Sequence, residues 1–63
     1  MDPIQKLKIL EEIRILEDSI VNRKRLITAP NKTDSFKLHH KQMIEHEMKL
    51  IIILKEKLSK MEK

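Results

Sequence analysis

One internal proline governs what this chain can become. None of its 63 residues is Gly, and its only prolines are Pro3 and Pro30. Pro3 suits the first position of a helix, Asp2 before it can cap, and Gln5 stands where a capping-box partner belongs. No helix breaker follows until Thr28-Ala29-Pro30. Pro30 lacks an amide donor and disfavours helical geometry at Ala29, so the first helix is expected to end by about residue 28. Residues 31–35, Asn-Lys-Thr-Asp-Ser, are turn or cap formers apart from Lys32. Asp34 or Ser35 is the expected cap of a second helix, with Asn31 the alternative for an earlier start. That helix then meets no Pro or Gly as far as about residue 61. The expectation is one all-α domain over residues 1–63, an antiparallel, coiled-coil-like two-helix hairpin. Its parts are helix one at about 3–28, a turn at about 29–34 and helix two at about 35–61.

Apolar spacing indicates which faces meet. In the first helix Ile9, Ile13, Leu16, Ile20 and Ile27 form a heptad-like seam, interrupted by Arg23 and widened by Leu7, Leu10 and Val21. Ile4, Ile15 and Leu26, eleven residues apart, make a second, minor stripe. In the second helix the expected seam is Phe36, His40, Met43, Glu47, Leu50, Leu54 and Met61, with Ile44, Ile51 and Leu58 on its flank.

The run Leu50-Ile51-Ile52-Ile53-Leu54 then poses a problem. A helix turns about 100° per residue, so five consecutive apolar side chains face every direction. A two-helix hairpin buries one side of each helix and would leave Ile52 and Ile53 in water. Burying an Ile is worth about 1.5–3 kcal/mol, a large amount beside the few kcal/mol that a core of this size supplies. The expectation is therefore a homodimeric four-helix bundle, or a protein partner, with Leu50, Ile51, Ile52, Ile53, Leu54, Ile4, Ile15 and Leu26 as the interface residues. The run is far shorter than the ~20 residues of a membrane span, and residues 1–10 lack the apolar core of a signal peptide. A cytoplasmic protein without membrane contact is expected.

The seam polar residues His40 and Glu47 are about 10.5 Å apart along the axis and cannot reach each other. Each needs a partner from another helix or chain, and Arg23 is a candidate for Glu47 if the register allows. Such groups commonly fix register and oligomeric state. His39, His40 and His46 do not share a helical face with a ligand three or four residues away, so no metal site is expected within one chain. The chain has no Cys, hence no disulfide and no thiolate ligand. Its inventory also offers no nucleophile triad, no glycine-rich phosphate loop and no paired-carboxylate cleft. No catalysis, cofactor or small-molecule substrate is expected.

Charge is concentrated at one end. Residues 22–41 carry Arg23, Lys24, Arg25, Lys32, Lys37 and Lys41 against Asp34 alone, a formal +5, whereas residues 1–21 sum to −2 and residues 42–63 to +1. In a hairpin the +5 segment is the turn end. Part of it complements the dipole of the first helix. The rest suits nucleic-acid phosphates, read by backbone or shape, because Phe36 is the only aromatic residue and cannot build a stacking platform. Three functional readings follow. The first is a small non-catalytic regulatory or adaptor protein acting through a helical face. The second is a dimer binding nucleic acid with its basic end. The third is a phosphotransfer or phosphatase-type regulator, disfavoured because Lys41 rather than an acid adjoins His40. Richness in Ile and Lys suits an AT-rich genome, such as that of a Gram-positive bacterium or its phage.

Overall fold

The computed structural model describes residues 3–61, so the expected cap at Asp2 lies outside the described residues. Helix α1 runs Pro3–Ile27 and helix α2 runs Asp34–Met61. They pack against each other as a hairpin with Cα extents of 48 × 15 × 11 Å. Neither is long and apolar enough to cross a membrane.

Proline does most of the work at the turn. Among the described residues no backbone φ is positive, so α1 does not end in a left-handed cap. Its last turn tightens instead. The amides of Thr28 and Ala29 donate to the Arg25 and Leu26 carbonyls at 3.3 Å, three residues back, and Thr28 Oγ1 donates to the same Arg25 carbonyl at 2.9 Å. Lys24 and Arg25 lie in that last turn and Asp34 in the first turn of α2, each favourably placed against its helix dipole.

The cap of α2 is Thr33 rather than Asp34, Ser35 or Asn31. Thr33 Oγ1 accepts from the Phe36 amide at 3.1 Å, and the Thr33 carbonyl accepts the first helical bond, from the Lys37 amide, also at 3.1 Å. A cap lies just outside the helix and reaches three residues in. With the cap at Thr33, Asp34 is free to act as a first-turn carboxylate.

The core comprises Ile13 and Ile20 of α1 with Ile44 and Ile51 of α2, and Ile9, Leu16, Ile27 and Leu54 pack around it. On α1 this is the stripe that the spacing picks out. On α2 the seam is rotated from the expected one. Ile44 and Ile51, assigned to its flank, are buried, while Leu50 is exposed and Phe36 and Met43 are only half-buried. Glu47 belongs to both versions of the seam, because residues 44, 47, 51 and 54 alternate by three and four as closely as 43, 47, 50 and 54 do. Packing of the isoleucines against α1 decides between them.

Candidate functional site

One polar cluster and two apolar faces stand out. The cluster lies in the seam towards the turn end. Arg23 Nε donates to Glu47 Oε1 at 2.8 Å, and Arg23 Nη1 lies 2.7 Å from His40 Nδ1. One arginine thus answers both seam residues that cannot reach each other. The guanidinium has hydrogens and no acceptor, so His40 Nδ1 must present its lone pair and the ring proton sits on Nε2. His40 is therefore neutral in this geometry. Partial burial, then the positive charge of Arg23, then His39, hold its pKa below the ordinary histidine value. The Phe36 ring packs at 4.4 Å between centroids on His40, and His39 meets His40 edge-on at 5.4 Å.

Among the described residues Glu47 is the only buried charged residue, and Arg23 is its ion-pair partner. No described buried side-chain nitrogen or oxygen lacks a hydrogen-bond partner. The cluster therefore ties α1 to α2 through Arg23, with its buried polar atoms satisfied. No group of three or more His, Cys, Asp or Glu that could hold a metal exists among the described residues.

The structure separates Ile52 from Ile53. Ile53 joins Ile15, Leu16, Leu50 and Leu54 in an open groove on one broad face, edged by Glu12 and Lys57. Ile52 joins Ile20, Val21, Met48 and Ile51 in a groove on the other face, edged by Glu17, Lys24 and Lys55. The two faces follow from the helix itself, because adjacent residues of α2 diverge by about 100° on either side of the buried seam. Ile51, expected at an interface, lies instead mainly in the hairpin core, and Leu54 is half-buried against it. Ile4, Ile15, Leu50, Ile52 and Ile53 are exposed, and Leu26 is half-buried. Spacing along one helix does not reveal that Ile15 of the minor stripe and Ile53 share one surface. That required the hairpin register.

The six basic candidates are also divided. Arg23 is committed to Glu47 and His40 inside the seam. Lys24 edges the Ile52 groove, and the Lys32 ammonium sits 5.1 Å over the Phe36 ring. Lys37 is half-buried, whereas Arg25 and Lys41 are exposed. They form a basic end rather than a continuous basic groove.

Comparison of the chain with protein-family models, with curated proteins and with solved structures returns no match.

Proposed function

We propose that the chain is a small non-catalytic protein of regulatory or adaptor type that works through protein–protein contact on its helical faces. Two hairpins pair into a homodimeric four-helix bundle. The observation that carries this reading is the presence of two apolar faces on a hairpin whose core uses only one seam. Ile15, Leu50 and Ile53 stand exposed on one face, and Val21, Met48 and Ile52 on the other. One face suits self-association and the other suits a partner helix. Exposed apolar surface of this extent on so small a chain marks contact with protein.

Dilution tests the self-association. The thermal unfolding midpoint of a homodimer rises with protein concentration, and a midpoint that is flat over a hundredfold dilution contradicts the reading. The competing reading, nucleic-acid binding through the turn end, is favoured by the +5 charge of residues 22–41. It demands affinity for random-sequence RNA or duplex DNA that falls steeply with salt. The expected result is no such affinity. Salt-dependent binding that disappears when Lys24, Arg25 and Lys41 are replaced by Gln would displace the adaptor reading.

A further inference from the structure

We propose that two copies of the chain pair antiparallel through the face carrying Ile15, Leu50 and Ile53, with their basic turn ends pointing in opposite directions. This rests on the homodimer reading above and specifies its face and orientation.

The first support is a symmetry in the sequence of that face. Ile4 and Leu26 lie eleven residues before and after Ile15. Eleven residues are close to three helical turns, so the three side chains share one stripe of α1, about 16 Å apart. Rotation of a second copy by half a turn, about an axis crossing the face at Ile15, sets Ile15 against its own counterpart. The same rotation sets Ile4 against Leu26 of the partner subunit. On α2 the matching pair is Leu50 with Ile53 of the partner subunit, which needs the axis to pass between residues 51 and 52.

The two helices agree on one axis. Arg23 bonds both His40 and Glu47, so it is level with the midpoint between them, in the 43–44 step of α2. Ile15 is eight residues from Arg23 along α1, and the 51–52 step is eight residues from that midpoint along α2. The hairpin is antiparallel, so the two positions stand at about the same height, as their shared groove requires. Ile15, Leu50 and Ile53 accordingly line one groove. A single twofold axis therefore satisfies both helices, which is the condition for a surface to complement itself.

Charge selects the orientation. Parallel pairing would bring two segments of +5 to the same end of the bundle. Antiparallel pairing sends the turn tips to opposite ends and leaves even the innermost basic residues, eight residues of helical rise from the axis in each copy, about 24 Å apart, well beyond the ~8 Å screening length at physiological salt. Polarity points to the same face, because two charged residues, Glu12 and Lys57, edge its groove against three, Glu17, Lys24 and Lys55, on the opposite one. Each broad face measures 48 × 15 Å between Cα atoms. Side chains extend it further, to the order of the ~800 Å² per partner typical of stable complexes.

The absence of native Cys allows a single nitroxide at Asn31→Cys, on the exposed turn. Pulsed double electron resonance on the assembled protein should give a tip-to-tip distance of about 45–50 Å, from about 18 Å of helical rise between Ile15 and the end of α1 on each side of the axis plus the turn beyond it. A distance below about 25 Å in a protein of dimer mass overturns the orientation and leaves the homodimer reading standing. Replacement of Ile15 and Ile53 by Glu should convert the dimer to monomer, while replacement of Val21 and Ile52 by Glu should leave its mass unchanged. The reverse pattern overturns the choice of face. A native chain that stays monomeric overturns both the pairing and the homodimer reading. The spin-label distance is read on the otherwise native chain, so it stands even where a Glu pair unfolds the hairpin.

Discussion

Replacing Arg23 by Leu probes what holds the two helices in register. The Arg23 side chain is 21% exposed and that of Glu47 only 9%. The substitution leaves the Glu47 carboxylate buried without its donor and removes the donor to His40 Nδ1. A charge-assisted hydrogen bond contributes about 1.5–3 kcal/mol, and stripping one partner from a fully buried pair costs about 3–5 kcal/mol. Arg23 is one-fifth open to water, so solvent can partly replace it, and the expected loss is about 2–3 kcal/mol. That is most of what a core this small supplies. Glu47→Leu should cost much less, because the long arginine side chain can swing out to water while a leucine joins Ile44 and Ile51. The double variant should recover most of the loss, giving a coupling of about 2 kcal/mol. Urea denaturation followed by far-UV circular dichroism, at one fixed protein concentration, measures all four corners of the cycle. Arg23→Leu with an unchanged or raised midpoint, or a cycle additive to within about 0.5 kcal/mol, would refute the reasoning.

Three further outcomes are expected. Thr33→Ala should destabilise by about 1 kcal/mol in the same denaturation assay, and Thr33→Asp should largely preserve stability, because an aspartate can make the same cap. Ile51→Ala, at a core position only 8% exposed, should cost about 2–4 kcal/mol, against less than about 1 kcal/mol for the exposed Lys49→Ala. The third concerns pH. The His40 pKa is held below its unfolded value of 6.5, so the unfolded chain binds the proton first. The His40 contribution is therefore fully present above pH 6.5 and declines as pH falls from 6.5 toward the lowered folded pKa. Urea midpoints between pH 7.5 and 5 should show that decline, and His40→Leu should flatten it.

Much of the fold was legible because a few residues allow no alternative. A Gly-free chain interrupted once, at Pro30, can form two long helices and little else. The α1 seam was equally plain, since Ile9, Ile13, Leu16, Ile20 and Ile27 sit among charged neighbours. The α2 seam was not. Five consecutive apolar residues remove the contrast between faces, and a polar Glu47 at the centre supplies no apolar marker. Only packing against α1 shows that Ile44 and Ile51 are core and Leu50 is edge. The Thr33 cap was obscured by its neighbours, because Thr33, Asp34 and Ser35 are all good caps and only the position of the first helical bond separates them. The pairing of Arg23 with both His40 and Glu47 depends on the register of the turn, which spacing along one helix does not encode. For the same reason Ile15 and Ile53, 38 residues apart, read as two separate surfaces until the hairpin joined them.

The decisive property is whether a second copy covers the exposed face carrying Ile15, Leu50 and Ile53. Light scattering on a size-exclusion column, over a range of loading concentrations, measures this directly. The predicted result is a mass twice the 7.6 kDa of one chain, falling toward one chain only on strong dilution. A folded, helical species of 7.6 kDa at every concentration would contradict the account.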